Sequence, residues 1–443
     1  MMKRRKTKRT LPKESRTWAK NILHLDVIGL VSKISGIYLQ AIAFSVAFLI
    51  VCSRRPDAIL NAQFYAEDGG VWYPEAYNYG LHSLFMPHAG YLNTLIRIVA
   101  LIALQFPLSL APLVMNLCAI VVQILPVNLF LSSRFSSIPL KMRLLGSFMY
   151  LAIPNSAEVH ANITNVQWHL ALVACLVLLA RPASGRGWRI FDGAVLVMIS
   201  VSSPLGILLV PVAAVMWWKR REKWSAYSLA LLVPGALVAG LIALLSHQRP
   251  VATIGATFSR FAAIFGRLVF LFSLLGKSSQ DWLLKLHDLH HAEVFATVAG
   301  LAVLLYALRY GQTELRLFIL FAYAVLALAL VTPLVGTPDL PNWELMCGPG
   351  IDGERYYFLS MLAFMASLVW MAGRRATPRV LRNFAVALLL LFPIGVCQDW
   401  NYPAFEDLDF SYHAAEFEQA PSGTKIVIPI NPNSAWNLEL TKH

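Results

Sequence analysis

Residues 110–131 read LAPLVMNLCAIVVQILPVNLFL, an apolar stretch that contains no charged side chain. A helix needs about 20 such residues to cross the hydrocarbon core of a bilayer. Comparable apolar stretches recur along the chain, and we interpret eleven of them as membrane spans. They are residues 36–52, 110–131, 143–154, 163–180, 190–202, 204–218, 225–246, 292–309, 316–333, 356–372 and 383–397. The sequence therefore predicts an all-α polytopic membrane protein with about eleven transmembrane helices.

The composition agrees with this interpretation. Of the 443 residues, 57% are hydrophobic and only 14% are charged, and the mean hydropathy is +0.59. A soluble protein of this length could not hide so much apolar surface from water. The formal net charge is +13, but the basic residues lie in short loops that flank the spans. This distribution is typical of membrane orientation rather than of a nucleic-acid surface.

The charged residues also predict the orientation. With the N-terminus placed inside, 26 of the 37 Lys and Arg residues fall in the inner segments, and 19 of the 24 acids fall outside. Short loops rich in Lys and Arg stay in the cytoplasm. We therefore expect a multi-pass protein of the bacterial inner (cytoplasmic) membrane with a cytoplasmic N-terminus and a periplasmic C-terminus. Three regions follow: a basic cytoplasmic tail at 1–35, a transmembrane domain at 36–397 with a first outer loop at 53–109, and a short outer tail at 398–443.

Two further apolar segments would disturb the alternation of basic inner loops and acidic outer loops if they were counted as spans. Residues 91–106 would move the basic loop at 134–143 to the outer side, so we expect them to form a helix at the membrane interface within the first outer loop. We expect the same of residues 257–276, which carry Arg260 and Arg267.

The first outer loop contains the sequence QFYAEDGGVWY at residues 63–73. Glu67 and Asp68 are adjacent carboxylates beside the membrane, where charge is costly unless it serves a purpose. A half-shielded carboxylate has a raised pKa and can act as a general base on a hydroxyl, so both are candidate catalytic residues. Trp72 and Tyr73 offer flat faces that suit sugar rings. The alternatives are a solvated loop whose acids cap the next helix, and an interfacial aromatic belt.

The second outer loop, residues 154–169, is dense in polar side chains. Hydroxyl-rich substrates need many directional donors and acceptors. The candidate substrate-binding residues of this loop are Glu158, His160, Asn162, Asn165 and Gln167. Equally, these side chains could form hydrogen bonds with one another and with backbone groups between the helix ends.

Arg355 and Tyr356 stand at the beginning of a late span. An arginine at the outer membrane surface can bind a lipid phosphate through two parallel hydrogen bonds. Both residues are therefore candidates for contact with a lipid phosphate, and the family resemblance described below implies that this is the phosphate of a donor. The alternative is that Arg355 snorkels, or pairs with Glu354 or Asp352.

Metal and disulfide sites are weakly indicated. His287 and His291 are one helical turn apart, as in zinc-binding helices, but no third ligand is evident nearby. We expect no metal site and no other cofactor, and a divalent metal is not favoured. Cys347 and Cys397 both fall on the outer side, where a disulfide could survive. Whether they are bonded is left open by the sequence.

Together these motifs resemble the GT-C superfamily of membrane glycosyltransferases, which take sugars from polyprenyl-phosphate donors. Its members have an acidic motif directly after the first span, here Glu67-Asp68-Gly69, and amphipathic helices in a long first outer loop, here preceded by His88-Ala89-Gly90-Tyr91-Leu92. Polar groups follow in the second outer loop, here Glu158 through His169. The segments SPLGILLVP at 203–211 and RYY at 355–357 also resemble those of bacterial members.

The resemblance implies a GT-C-like fold and roles for single residues. Asp68 or Glu67 would deprotonate the acceptor hydroxyl, and Arg355 would steady the departing polyprenyl phosphate. Glu158 and His160 would help to hold donor or acceptor, and His88 is a further substrate-binding candidate. Without the large soluble C-terminal domain of the oligosaccharyltransferase branch, the chain looks more like enzymes that add one sugar to an O-antigen, lipopolysaccharide or another envelope glycan.

We therefore expect an inverting glycosyltransferase that moves a sugar from a polyprenyl-phosphate donor to an envelope glycan on the periplasmic side. Its partners would be that donor, an envelope glycan or lipid-linked acceptor, and membrane lipids, but no nucleic acid. The alternatives are a transporter, flippase or polymerase for lipid-linked saccharides, and a subunit without catalysis. Transporters place polar residues near mid-span in related halves, whereas here the polar residues gather at the outer rim.

Overall fold

The computed structural model describes residues 36–245, 253–279, 285, 289–332, 340–347, 353–433 and 435–443, which are mostly helical. The first ten helices are α1 Gly36–Arg54, α2 Asp57–Leu60, α3 Tyr73–Tyr79, α4 Thr94–Ala103, α5 Ala111–Leu131, α6 Leu140–Ala152, α7 Val166–Leu179, α8 Arg186–Ser202, α9 Leu205–Arg220 and α10 Lys223–Leu245. They are followed by α11 Phe258–Ala262, α12 Phe272–Leu275, α13 Leu289–Tyr310, α14 Thr313–Val331, α15 Asn342–Cys347, α16 Glu354–Gly373, α17 Arg379–Leu389, α18 Phe392–Gln398 and α19 Phe410–Gln419. π-Helical segments cover Asp68–Trp72 and Ala263–Leu271, and short 3₁₀ helices cover Gly80–Phe85, Leu108–Leu110, Ser133–Phe135 and Lys277–Ser279.

Each of the eleven predicted spans coincides with a helix, and α17 and α18 together form the last one. In the part of the chain that the structure describes, seven helical segments are long and apolar enough to cross a membrane. Six of these are predicted spans, namely α5, α10, α13, α14, α16 and the α17–α18 pair. The expectation of a helical, multi-pass membrane protein is thus confirmed. The helices at the other five predicted spans are not among these seven segments, and their crossing of the membrane stays a prediction.

Several connections between helices meet at one end of the bundle. The carbonyl of Arg134, between α5 and α6, accepts a hydrogen bond from the backbone of Arg181, between α7 and α8. Arg374, after α16, donates to the carbonyl of Tyr310 at the end of α13. Because these connections carry the Lys- and Arg-rich loops, we call this the basic end. That it faces the cytoplasm stays a prediction from those loops.

The remaining connections meet at the opposite end, which we call the loop end. There Asp399 accepts hydrogen bonds through its carboxylate from the backbone of Asn155, at 3.1 Å, and of Lys277, at 2.6 Å. Arg54 at the end of α1 donates to the carbonyl of Asp399 at 3.0 Å. Residues 258–275, the seventh long apolar segment, run directly before Lys277. Their expected position at the membrane interface stays a prediction.

Helix α16 lies at the centre of the bundle and is the most buried of the seven long apolar segments. It contacts α6, α7, α13, α14 and α17, and its side chains are apolar on nearly every face. A helix that is hydrophobic all round is suited to burial in a protein core or in lipid, and here other helices surround it. Arg355 stands in the first turn of α16, so the central helix places this residue at the loop end.

A buried ion pair ties the basic end together. Arg134 Nη1 and Nη2 bind Asp192 Oδ1 at 2.5 Å and Oδ2 at 2.9 Å, which is the bidentate geometry of strong arginine–carboxylate pairs. Trp224 Nε1 also donates to Asp192 Oδ2, at 3.1 Å. The pair therefore joins the connection after α5 to α8 and α10.

The tail beyond α18 packs onto the first outer loop. Strands β1 Lys425–Pro429 and β2 Asn437–Thr441 pair antiparallel, with Val427 opposite Glu439. Ile428 and Leu438 are buried, and they share a hydrophobic core with Phe64 of the first outer loop and with α19. Since an isolated two-stranded hairpin is marginal in water, the hairpin depends on that loop. The outer tail, whose limits at 398–443 stay a prediction, is thus packed against the first outer loop.

The ion pair at the basic end gives a stability prediction. Asp192→Asn leaves the buried Arg134 without a counter-charge, so we expect the free energy of unfolding to fall by about 3–5 kcal/mol. Denaturant unfolding in detergent micelles measures it. In the control Glu439→Gln, which breaks an exposed pair with Lys425, the change should stay below about 1 kcal/mol. Equal changes in the two variants would contradict the structural role of Asp192.

Candidate functional site

The carboxylate of Asp68 joins the first outer loop to the second. Its Oδ1 accepts hydrogen bonds from the backbone N–H of Thr164 at 2.9 Å and from the Thr164 hydroxyl at 2.5 Å. Trp72 Nε1 donates to the same hydroxyl oxygen at 3.0 Å. Asp68 is only 1% exposed and begins a π-helical segment, a distortion that is frequent at functional sites. Thr164 was not among the predicted site residues, because nothing in its sequence neighbourhood distinguishes it.

The environment of Asp68 changes its acidity. Burial raises the pKa of the Asp68 carboxyl to about 7, although the hydrogen bond from the Thr164 hydroxyl acts in the opposite direction. The negative charge of Glu67 raises the pKa further. A carboxyl that titrates near neutral pH can accept a proton and release it again under physiological conditions. Asp68 therefore has the acidity of a general base.

Glu67 differs from its neighbour in exposure and in contacts. It is half-buried, and its carboxylate makes no hydrogen bond or ion pair within the described residues. It lies close enough to Arg355, His88 and Tyr91 to interact with them electrostatically. Of the two adjacent acids, Glu67 is thus the more accessible one.

Arg355 is held by Glu158 of the second outer loop. Its Nη1 pairs with Glu158 Oε1, and its backbone N–H donates to Glu158 Oε2 at 2.9 Å. Its guanidinium lies over the ring of Tyr356, with Cζ 5.0 Å from the ring centroid. The Arg355 side chain remains 17% exposed, whereas that of Glu158 is 4% exposed. Part of a fixed guanidinium is thus accessible to an anion.

The other pairings that the sequence allowed for Arg355 involve Glu354 and Asp352. Glu354 instead binds Lys277 Nζ through Oε1 at 2.5 Å, and Asp352 lies outside the described residues. Lys277 is half exposed and brings a second cation next to Arg355. It was not a predicted site residue, because 77 positions separate it from Glu354 in the sequence.

Trp72 and His88 form an aromatic contact beside Asp68. Their ring centroids are 5.0 Å apart in an edge-to-face arrangement. Arg97, which binds Glu75 at 2.5 Å, lies over the Trp72 ring at 5.1 Å. Burial lowers the pKa of His88 from its ordinary value. Trp72 and Tyr73 are nearly fully buried, and their direct contact with substrate stays a prediction.

Three of the predicted residues in the second outer loop hold the loop itself. The ring nitrogens of His160 lie 2.9 Å from the carbonyl oxygen of Val51 and 3.1 Å from a side-chain amide of α5. Asn162 and Asn165 both donate to the carbonyl of Glu158, at 2.7 and 2.8 Å. All three side chains are buried. Their side-chain nitrogens have partners inside the protein, and substrate binding by them stays a prediction.

Gln167, by contrast, belongs to the same cluster as Arg355. Its Nε2 donates to the hydroxyl of Tyr91 at 3.3 Å, and Tyr91 interacts electrostatically with Arg355 and Glu67. Gln167 Oε1 is buried and has no hydrogen-bond partner among the described residues. A buried acceptor without a partner indicates that a water or a ligand group donates the missing hydrogen bond. Of the predicted second-loop residues, Glu158 and Gln167 therefore lie with the acids of the first loop.

The loops of this cluster contain strained backbone. Ala66, Ala89 and Ala161 have φ angles of 47°, 52° and 53°, in the left-handed region that costs a residue with a Cβ about 1–2 kcal/mol. Ala66 precedes Glu67, and Ala89 follows His88. Such strain persists only when the surrounding structure enforces it, and it is concentrated at functional sites.

The tail covers the acidic segment from the outside. The backbone N–H of Ala66 donates to the carbonyl of Asn431 at 2.7 Å. Gly69 is so closely packed that an added Cβ would lie 2.9 Å from Ile430 Cδ1 and 2.8 Å from Phe64 Cβ. The conformation of the Glu67–Asp68 segment thus depends on residues more than 350 positions later in the chain.

The weakly predicted metal and disulfide sites can be compared with the described residues. Among them, no group of three or more His, Cys, Asp and Glu side chains is arranged to hold a metal ion. His287 lies outside the described residues. Cys347 and Cys397 are both free thiols, which answers the question that the sequence left open.

Comparisons with known proteins give distant likenesses. No family model and no curated protein matches the sequence. The chain is similar to the crystal structure of the Archaeoglobus fulgidus oligosaccharyltransferase in complex with Zn and sulfate, at 12% identity and a TM-score of 0.44, covering 86% of this chain and 56% of that chain. Oligosaccharyltransferase AglB from the same organism, in complex with an inhibitory peptide and a dolichol-phosphate, is 11% identical with a TM-score of 0.40, covering 87% of this chain and 58% of that chain. The chain spans little more than half the length of these enzymes, and a likeness this distant carries no conclusion about function.

The packing under the tail can be tested without an activity assay. Gly69→Ala forces Phe64 or Ile430 to move, and overpacking of this kind costs about 1–3 kcal/mol. We expect a lower midpoint of thermal unfolding in detergent and faster proteolysis of the tail. Gly185→Ala is the control, because an added Cβ at this position meets nothing within 4 Å. The same response in both variants would contradict the tight contact between the tail and the acidic segment.

Proposed function

We propose that this protein is a membrane glycosyltransferase that moves a sugar from a polyprenyl-phosphate donor to a hydroxyl of an envelope glycan, with inversion at the anomeric carbon. The observation that carries the proposal is the meeting of three chain segments at the loop end. They bring an accessible acid, a buried acid with a pKa near 7 and a fixed arginine into one cluster: Glu67, Asp68 and Arg355. Transfer of a sugar from a lipid phosphate needs a base for the attacking hydroxyl and a cation for the departing phosphate.

In the proposed reaction, Asp68 takes the proton of the acceptor hydroxyl. The hydroxyl oxygen forms a bond to the anomeric carbon while the bond from that carbon to the phosphate oxygen breaks. The electron pair of the broken bond stays on the polyprenyl phosphate, whose charge therefore grows. Arg355 stabilises this charge, because its guanidinium is fixed by Glu158 and needs no reorganisation.

Neighbouring groups would orient the substrates. Glu67 accepts hydrogen bonds from sugar hydroxyls, and the unpartnered Oε1 of Gln167 accepts another. His88 presents an aromatic edge beside the acids. The predicted orientation of the acidic outer loops supports a site on the periplasmic side of a bacterial inner membrane, where we propose that the acceptor is an envelope glycan such as O-antigen or lipopolysaccharide.

The first test is transfer of radiolabelled sugar from polyprenyl-phosphate donors to envelope glycans in membranes. Asp68→Asn removes the base, so we expect the rate to fall by a factor on the order of 10²–10⁴ while donor binding persists. Arg355→Ala removes stabilisation of the leaving group and should lower the rate by roughly 10²–10³. Lys425→Ala, an exposed residue of the hairpin, is the control and should keep full activity.

The outcomes separate the alternatives. If Glu67→Gln alone abolishes transfer, the protein is still a glycosyltransferase, but the base is Glu67 and not Asp68. Full activity of both carboxylate variants would contradict the mechanism. If the intact protein transfers no sugar but accelerates the crossing of lipid-linked saccharides, it is a transporter and not a transferase.

The pH dependence tests the role of Asp68 directly. A base must be ionised, so the rate should rise as the pH passes through about 7, the pKa of Asp68, and level off above it. Thr164→Val removes a hydrogen bond that stabilises the ionised carboxylate, so the pKa rises and the ascending limb should move to higher pH. Thr164→Ser keeps the hydroxyl and should restore the original profile. If the pH profile of Thr164→Val equals that of the wild type, a group other than Asp68 determines the ascending limb.

A further inference from the structure

A large cavity opens within the half of the bundle that is nearest the basic end. Its volume is about 630 Å³, which is in the range of ligand-binding pockets. Its walls are formed by α5, α6, α7, α14 and α16, together with Tyr310 at the end of α13. None of the residues in the proposed transfer site lines it, so the cavity has no role in the reaction proposed above.

The walls are apolar over most of their length. On α16 the lining follows one stripe at helical spacing, through Leu362, Ala366, Val369 and Gly373. The polar lining residues, which include Arg374, are concentrated at the basic end of the helices. An apolar cavity accepts apolar guests. The asymmetry therefore fits an amphiphile whose polar head lies at the basic end.

The length of the cavity fits one hydrocarbon chain of a single membrane leaflet. From Leu362 to Arg374 a helix rises about 18 Å. The hydrocarbon core of a bilayer is about 30 Å thick, so a chain of one leaflet extends about 15 Å. An acyl chain that enters beside Arg374 would thus end near Leu362.

The far end of the cavity is closed toward the loop end. Tyr150, which lines it, donates to or accepts from His169 Nδ1 at 2.8 Å, and the ring of Phe358 lies 5.1 Å from that of His169. These side chains of α6, α7 and α16 form a layer between the cavity and Tyr356. We therefore expect a polyprenyl chain whose phosphate is bound at Arg355 to lie outside the cavity.

The charge at the opening favours an anionic head group. In the part of the chain that the structure describes, the side chain of Arg374 makes one hydrogen bond, from Nη1 to the carbonyl of Tyr310, so its other N–H groups are available. The neighbouring Arg375 is exposed. Glu314, the acid in the lining, is paired with Lys219 at 3.1 Å. The opening therefore carries net positive charge, which attracts anionic lipids.

We propose that this cavity binds an anionic phospholipid of the membrane leaflet at the basic end, with an acyl chain between α6 and α16 and its phosphate at Arg374. This lipid site is separate from the transfer site, so the proposal does not depend on the proposed function. The bound lipid fills a gap among the central helices and makes the stability of the bundle depend on the lipid composition of the membrane.

Native mass spectrometry of the purified protein tests this site, with phosphatidylglycerol, phosphatidylcholine and polyprenyl phosphate as separate probes. The wild type should retain one phosphatidylglycerol through delipidation. Ala366→Phe fills the cavity and should lower this occupancy about tenfold. Arg374→Gln should weaken the binding of phosphatidylglycerol about tenfold and leave the already weak binding of phosphatidylcholine unchanged. The controls Ala236→Phe, on α10, and Arg379→Gln, an exposed residue near the same end, should bind as the wild type does.

Several results would overturn the proposal. One is equal retention in Ala366→Phe and Ala236→Phe, provided that both show the same unfolding midpoint without lipid. A second is equal affinity of the wild type for phosphatidylglycerol and phosphatidylcholine. A third is preferential retention of polyprenyl phosphate, which would assign the cavity to a substrate tail. If Ala366→Phe fails to fold, the comparison of Arg374→Gln with Arg379→Gln still decides the outcome.

Discussion

A charge that is buried beside a hydrocarbon layer needs a partner, because neither lipid nor a packed helix bundle can solvate it. The described structure meets this constraint with pairs that also connect distant segments. Arg54 at the end of α1 donates to the carbonyls of Leu151 and Ile153, and Arg134 binds Asp192. These contacts therefore stabilise the buried charges and also hold distant segments of the chain together.

The same constraint shapes the candidate site. Asp68 is stabilised by two hydrogen bonds from Thr164, and the remaining cost of burial appears as a pKa near 7. Arg355 is accommodated by Glu158. Each charge is thus supported by a residue of the second outer loop, so any movement of this loop would change the acid and the arginine together. Coupling of this kind suits a reaction in which proton transfer and departure of the phosphate occur in one step.

The sequence predicted the helices well and the contacts within the site poorly. Apolar stretches report helices directly, since each span must be apolar along its own length; even the shorter α6 and α7 coincide with predicted spans. The partnership of Asp68 with Thr164 spans 96 positions, and that of Arg355 with Glu158 spans 197. Neither leaves a local pattern, because a single threonine or glutamate in a polar loop resembles any other. For His160, the sequence shows only a polar residue in a polar loop, whereas the structure places its ring in a buried position 2.9 Å from the carbonyl oxygen of Val51.

The central claim is that Glu67, Asp68 and Arg355 form one site for a lipid-linked sugar. It is tested most directly by the cryo-electron microscopy structure of the protein with a non-hydrolysable polyprenyl-phosphate sugar analogue. We predict density for the phosphate within hydrogen-bonding distance of the Arg355 guanidinium, with the anomeric carbon directed toward the two acids. Density for the analogue at another place in the bundle, with Arg355 still paired only to Glu158, would contradict the account.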